Sequence, residues 1–500
     1  MRKMEIAILA MLLVSSLYVK AQHGVDPNWL SEVELPHPAT SSNLRGFLYS
    51  NMAVFSNNKR VVFFREKNNI TKIYYTYSYD GTNWSSPTQF FPLPGLNSLK
   101  VISDQNDNLH LFYKQGPTKL YYSKMDSSFR YLIDHVLIAA NPVNGSLDEV
   151  YPTVDLKGRI HVMWHDGNIK TATNTECFYA RSIDGGMSFS TPVQISKNTS
   201  KKSAFPRGQY NAYAGDSLAI FWRDNVTSNN WNIHMVVSTD GGLNWSDPVT
   251  INSSEDYQGD PDLVIDPKGR FHLFYHQAPV GDAYWGMRVV YGYSDDLGQT
   301  WSPASDFYNN PVSRAQRSYL VEGSRYDIIN NTLWTFWKEE DLFGLKGGDM
   351  MAAYSLDRGQ TWSTPEYISD HDSVSIGFKT AALLPNGGVC VNYESPNYSG
   401  SGETRIVYRE RQMLPLGTAR YRGENNTVII YPNPIHDVIH ITPPGHQSIK
   451  SIEIVDLSGK VLRTKFNSNS ISIGHFKNGI YLVKITTDKG NLIYHKIIKQ

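Results

Sequence analysis

Between residues 44 and 412 the apolar positions of the chain come in short alternating runs, and the runs recur in a fixed order. The stretches VDLKGRIHVMW (154–164), IDPKGRFHLFY (265–275) and SDQNDNLHLFY (103–113) share one plan. A turn rich in Asp, Asn or Gly leads into an apolar run that ends in an aromatic pair. FSNNKRVVFF (55–64), AGDSLAIFW (214–222), IINNTLWTFW (328–337) and LPNGGVCVNY (384–393) repeat it. This pattern predicts strand, tight turn, strand. Seven such units follow one another roughly every 45 to 60 residues. Each continues through a variable polar loop to a third strand, such as CFYARS or NIHMVVS, and a short fourth one, such as PVQIS or PVTIN. No helical periodicity of useful length appears in 44–412.

A second motif sits between the third and fourth strands: SIDGGMSFSTP (182–192), STDGGLNWSDP (238–248), SDDLGQTWSPA (294–304), SLDRGQTWSTP (355–365) and a shorter SYDGTNWSSP (78–87). In SLDRGQTW the Asp357 carboxylate is placed to accept backbone N–H groups of its own turn. Gly359 permits a positive φ, and Trp362 is expected to fold beneath the turn and bury about 2–3 kcal/mol of apolar surface. The motif therefore pins a hairpin rather than carrying chemistry. Four strands per unit at this period predict an all-β fold, a seven-bladed β-propeller.

These stretches resemble the Asp-box (BNR) repeats, Ser-x-Asp-x-Gly-x-Thr-Trp, of sialidase-like propellers. Ser294, Asp296, Gly298, Thr300 and Trp301 match in full, as do Ser355, Asp357, Gly359, Thr361 and Trp362. Phe189 replaces Trp and Ser188 replaces Thr in one copy, and Asn244 replaces Thr in another. Sialidases have six blades, so a six-bladed ring is the alternative to the seven units counted here. The motif is specific for the fold and poor for the function.

Composition narrows the partners. Lysine plus arginine and aspartate plus glutamate each number 47, which points to no nucleic acid. Aromatics make up 12%, with 31 Tyr and 11 Trp, suiting strands and sugar-stacking surfaces alike. The two cysteines, Cys177 and Cys390, lie in distant units and make no disulfide framework. Residues 1–21 read as a signal peptide, with MRK before an apolar run too short for a membrane span. Residues 22–43 form a lead-in, and no transmembrane segment is expected. A polar linker over 413–426 precedes a tail, 427–500, whose alternating strands suggest a small immunoglobulin-like β-sandwich. YPNP (431–434), DLSGKVL (456–462) and NGIYLVKI (478–485) resemble the C-terminal sorting domain of type IX secretion cargo. The resemblance implies the type IX secretion machinery as a partner, and a secreted or outer-membrane-surface protein.

Candidate chemistry lies on the face opposite the Asp-box turns. After each second strand come Arg65-Glu66, Lys114-Gln115, His165-Asp166, Arg223-Asp224, His276-Gln277, Lys338-Glu339-Glu340 and Glu394. The starts of the units add Arg45, Asp148, Glu149, Arg207, Asp260, Asp262, Arg314 and Arg317. Such a charged ring suits an anionic or polyhydroxyl ligand, a glycan or polysaccharide. Three functions fit. A sialidase-like hydrolase, by resemblance, needs three arginines on the sugar carboxylate, for which Arg45, Arg207 and Arg317 supply the count. It also needs a Tyr–Glu pair; Tyr393 and Glu394 are adjacent but point to opposite faces of a strand. The family's Arg-Ile-Pro is absent, and the chain reads NLRGF there. A uronate-polysaccharide lyase of the seven-bladed kind uses, by resemblance, a His or Tyr as base or acid. His165 or His276 would take the proton, Arg207 and Arg223 would hold the carboxylate, and Glu339 is a further acid/base candidate. A non-catalytic adhesin needs only the ring, with Arg65 among its cations, and surface aromatics such as Trp231 and Trp285. His161 and His272, inside the second strands, read as structural. No cofactor and no metal site are expected.

Overall fold

The computed structural model describes residues 25–38, 44–46, 51–66, 69–90, 96–197, 202–210, 216–227, 230–251, 257–278, 288–306, 316–341, 349–369, 377–385, 387–396, 404–411, 429–431, 435–442, 448–456, 461–466, 468–488 and 492–499. The expected signal peptide and linker lie outside them. The described residues are all-β, and none forms a helix long and apolar enough to cross a membrane.

Up to Arg411 the described strands form seven antiparallel sheets, six built wholly from sequence-adjacent strands and the seventh joined by one strand from the lead-in. They span 44–90, 96–140, 147–194, 203–251, 257–306, 316–367 and 377–411, and are numbered here in that order. Within each, the second strand is the apolar one: Ile160–Asp166 and Phe271–Ala278 are buried along their whole length. The short outer strands, such as Val193–Gln194 and Ser305–Asp306, are exposed. First strands of neighbouring sheets pack on one another. This propeller-like arrangement gives the aliphatic and aromatic alternation one buried layer between each pair of sheets.

The lead-in takes part in the seventh sheet. Val33–Glu34 pairs with Thr404–Arg411, matching Val33 with Tyr408. Tyr393 finds its carboxylate there as well. Its hydroxyl donates to Glu32 at 2.6 Å, not to Glu394, and the ring is fully buried.

The repeated turns are built as their residues dictate. Asp357 accepts Thr361 N–H at 2.8 Å and the Ser355 hydroxyl at 2.8 Å, while Gly359 N–H is held by Ser355 Oγ at 2.7 Å. Those bonds outweigh partial burial and hold the Asp357 carboxyl below the usual range. The motif also couples sheets. Its glycine sits over a side chain from the third strand of the preceding sheet. A Cβ on Gly242, at φ +81, would lie 1.9 Å from the Tyr179 hydroxyl oxygen, and one on Gly359, at φ +83, 2.0 Å from that of Tyr291. The same two tyrosines take the edge of the motif tryptophan, with ring centroids 4.9 Å apart for Tyr179–Trp245 and 5.3 Å for Tyr291–Trp362. Such edge-to-face pairs contribute about 0.5–1.5 kcal/mol beyond area burial. His161 and His272 serve this device. Each bonds the tyrosine hydroxyl, at 2.7 and 2.8 Å, and an aspartate of the turn before its strand. The second sheet lacks the motif and receives Tyr75 and Lys59 on Phe129 instead. Between the seventh sheet and the first, Trp84 packs on Tyr408 at 4.9 Å and Arg60 pairs with buried Glu410 at 2.6 Å.

The described residues from 429 to 499 belong to a second compact unit. Its described strands make a three-stranded and a four-stranded sheet around one core, with Ile439, Ile441, Ile452, Ile454, Ile471, Val483 and Ile485 buried together.

Candidate functional site

The ionisable residues expected just beyond the second strands lie inside them, at their C-terminal ends. There the ladder fixes each one opposite the start of its first strand: Arg65 with Arg45, His165 with Asp148, Arg223 with Ala204, His276 with Gly259. A strand turns successive side chains to opposite faces, so the doublets split. Asp166 and Asp224 are turned into the sheet packing and used there. Asp166 accepts Asn144 Nδ2 and Glu176 N–H, each at 3.0 Å; Asp224 accepts Ser203 Oγ at 2.6 Å and Trp222 Nε1 at 2.8 Å.

His165, Arg223 and His276 are the members of the ring that the fold brings together. The link is one continuous run of contacts over the third, fourth and fifth sheets. The His165 ring lies against Phe205, centroids 5.6 Å apart. The Arg223 guanidinium stacks on Phe205 at 4.2 Å and faces Trp231 at 5.4 Å. Arg223 Nη1 donates to the Tyr257 hydroxyl at 2.9 Å. Tyr257 in turn stacks on His276, centroids 5.8 Å apart and planes 16° from parallel. Gly259 leaves room for that histidine, since a Cβ there would be 2.0 Å from His276 Nε2.

Phe205 owes its position to a bulge. The first strands of the third, fourth and fifth sheets break register at matching points, between Asp148 and Tyr151, Ala204 and Arg207, and Gly259 and Asp262. Phe205 holds φ +58 and Glu149 φ +46, costly conformations for non-glycine residues, kept where surroundings impose them. Phe205 N–H is directed to His165 Nδ1 at 3.4 Å and its carbonyl accepts Arg207 Nη1 at 2.9 Å.

One step further along those strands, Tyr151, Arg207 and Asp262 occupy equivalent positions. Arg207 lies 6.0 Å from the Tyr151 ring, and Gln209 Nε2 reaches the Tyr151 hydroxyl at 3.5 Å. Asp262 is tied to the sixth sheet by Gly323 and Ser324 N–H, at 3.0 and 2.7 Å. Burial raises the Tyr151 hydroxyl above its ordinary value, Asp262 adds to that, and Arg325 and Arg207 oppose it. Arg207 and Arg325 thus act on the Tyr151 phenol, while Arg223 bonds the phenol of Tyr257, a distribution of cations that attracts an anion.

Exposure separates the roles. His165 and His276 are each 1% exposed and Arg223 6%, whereas Tyr257, Phe205 and Trp231 keep accessible surface. Burial lowers the His165 imidazole to about 4, against the pull of Glu149 and Asp148, so it is neutral at pH 7 behind Phe205. The reachable proton-bearing group beside the cation is Tyr257. Sequence reasoning passed it over because only charged residues were singled out at the starts of the units, and Tyr257 stands among them as one of 31 tyrosines.

Of the remaining candidates, Arg65 is half-buried and donates to Glu66 O at 3.2 Å. Arg45, Arg317 and Glu339 lie on strands, but their side chains fall outside the described residues, as does Trp285 altogether.

Comparison with known proteins adds three findings. Residues 429–500 match the secretion system C-terminal sorting domain. The protein is accordingly secreted or carried to the outer-membrane surface, as the tail pattern predicts. Over 232 residues the chain is 24% identical to an endo-acting ulvan lyase of Formosa agariphila, a match covering 44% of this chain and 43% of that one. The chain therefore spans less than half of the curated relative it matches. Among solved structures, a family PL25 ulvan lyase bound to -[GlcA(1-4)Rha3S]- superposes with a TM-score of 0.51 at 12% identity, over 75% of this chain and 95% of that one. A fungal alcohol oxidase in complex with copper superposes at 0.50 and 10% identity, over 94% and 99%. Two such different chemistries on one architecture show that the structural likeness concerns the fold alone.

Proposed function

We propose that the protein is a secreted polysaccharide lyase that cleaves a uronate-containing glycan at the site formed by Arg223, Tyr257 and His276. The observation that carries this is the Arg223–Tyr257 bond, with His276 stacked beneath the phenol. The partial identity to an ulvan lyase supports the substrate class. In this reading the seven sheets are the seven blades of a closed propeller, and the tail is an immunoglobulin-like sandwich. Elimination removes the proton α to the uronate carboxylate, at C5, and breaks the C4–O4 bond, leaving a C4=C5 double bond. Arg223 and Arg207 hold the carboxylate and stabilise the charge that develops on it. Tyr257, held by Arg223, acts as the phenolate base that takes the C5 proton and returns it to the departing oxygen. His276 fixes the phenol ring, and His165 fixes the bulge that presents Phe205.

The sialidase-like reading, the first expectation from the repeats, is less well supported. Its Tyr–Glu couple would be Tyr393 and Glu32, whose phenol is fully buried in the seventh sheet. The test is incubation with ulvan, other uronate polymers and sialosides, following unsaturated-uronate absorbance and released sialic acid. Unsaturated product is expected from a uronate polymer. Tyr257→Phe should lower kcat about 10²–10⁴-fold. Release of sialic acid, or a Tyr257→Phe enzyme at the wild-type rate, would overturn the assignment.

A further inference from the structure

A polar cavity of about 540 Å³ opens between residues of the second and third sheets and is not needed for the elimination. That volume falls within the ~300–1,000 Å³ typical of small-ligand pockets. Its lining includes Lys114, Asn144, Ser146, Asp148, Asn168 and Thr171. Asp148 is the cross-strand partner of His165, so the cavity lies at the end of the third sheet that carries His165.

The cavity is built, not a gap between loose loops. Its floor, 141–147, is clamped from both sides: Leu147 N–H to Pro117 O at 2.8 Å, Gly167 N–H to Ser146 O at 2.7 Å. Buried Asp166 takes both the backbone N–H and the side-chain amide of Asn144, at 3.3 and 3.0 Å. The far wall, 168–172, is fastened by Lys202 Nζ on Ile169 O at 2.6 Å and by Asn168 capping Lys170 N–H at 2.9 Å. Its charges cancel locally: Lys114 Nζ pairs with Asp148 at 2.6 Å and also donates to Leu147 O at 2.8 Å. Ser146 Oγ is buried and makes no hydrogen bond among the described residues. A buried hydroxyl left so is costly unless something bonds to it.

We infer that this cavity is a subsite for a further sugar ring of the glycan, recognised through hydroxyl groups rather than charge. The inference rests on the lyase reading for the identity of the polymer, not for the existence of the pocket. A preformed pocket loses little ordering entropy on binding, and its amide and hydroxyl lining matches a polyol. Its occupant sits on the third-sheet side of Tyr257, so a chain engaging both would cross from the fifth sheet towards the second.

The test uses the full chain with two substitutions. Thr171→Trp fills the cavity from its exposed wall, and Ser146→Ala removes the buried hydroxyl. On ulvan, Thr171→Trp should raise KM at least tenfold, with a smaller change in kcat. The effect should shrink on the shortest oligosaccharide cleaved, and the product lengths should shift. Ser146→Ala should raise KM several-fold. Chemically desulfated ulvan should respond to both substitutions as the native polymer does. Unchanged KM and product lengths in Thr171→Trp would overturn the subsite while leaving the lyase reading intact, and so would an effect confined to the sulfated polymer. Should wild type cleave no uronate glycan, the lyase reading falls, and calorimetric titration with desulfated ulvan oligosaccharides decides the pocket alone. Binding that Thr171→Trp weakens tenfold sustains it; equal binding, or none by wild type, overturns it.

Discussion

Replacing Glu176 with glutamine should stabilise the protein above neutrality and do almost nothing at pH 4. Glu176 is 9% exposed and lies between Asp166 and Asp224, with Ser196 Oγ donating to its carboxylate. Burial pushes its carboxyl from an ordinary 4.5 up to about 7; the Ser196 bond opposes this, and Asp224 and Asp166 add to it. The folded pKa is therefore above the unfolded one, and between these values the folded state holds the extra proton. Stability linked to Glu176 is complete below pH 4.5 and drains away as pH rises through 7. A rise of this size corresponds to about 3 kcal/mol once the group is fully ionised. Glutamine keeps the shape and a hydrogen-bonding amide but has no proton to lose. Denaturant unfolding of both proteins at pH 4, 6.5 and 8 reads the difference directly. Other titrating groups cancel in that difference. Wild type and Glu176→Gln should nearly coincide at pH 4, with the variant ahead by a growing margin, up to about 3 kcal/mol, by pH 8. Parallel pH profiles would refute the reasoning, and so would a variant less stable at every pH.

Three further outcomes follow from the fold. Gly359→Ala should destabilise by about 3 kcal/mol, because a Cβ meets the Tyr291 hydroxyl at a positive φ. Gly185→Ala, at φ +75 but with nothing within 4 Å of the added carbon, should cost only about 1 kcal/mol; equal losses in thermal melts would deny the clamp. Asp357→Ala should cost about 1–3 kcal/mol from unsatisfied turn donors and leave glycan affinity unchanged, whereas lost binding at full stability would make the turns functional. A chain ending at residue 423 should keep the propeller's melting transition and lose delivery to the cell surface, checked by calorimetry and cell fractionation.

Much of the strand architecture was legible because its signal is local. The apolar alternation of IHVMWHD or FHLFYHQA marks a buried strand wherever it occurs, and a turn such as SLDRGQTW carries its own hydrogen-bond partners. The site was legible only in part. His165, Arg223 and His276 stand at one topological position, and the ladder turns that equivalence into proximity. Their neighbours Asp166 and Asp224 were grouped with them although period-2 alternation sends them to the other face. Tyr257, Phe205 and Tyr151 gave no signal. Tyr151 and Phe205 depend on bulges at Glu149 and Phe205, positive-φ residues that no glycine or asparagine announces, and Tyr257 precedes a third register break between Gly259 and Asp262. The Tyr393–Glu32 bond joins segments from opposite ends of the domain, beyond any local pattern.

The pairing of Val33–Glu34 with Thr404–Arg411 sets a timetable for biogenesis. The strand that completes the seventh sheet is the first to be synthesised, and its partner is almost the last before the sorting tail. No earlier length of chain can join these edges. Intermediate lengths instead present one unmatched sheet flank, with a tyrosine or a turn glycine lacking its counterpart. A seventh sheet that is complete only when its last strands arrive keeps one edge open until then. The pairing then covers an edge at which an array of repeats begins to unravel.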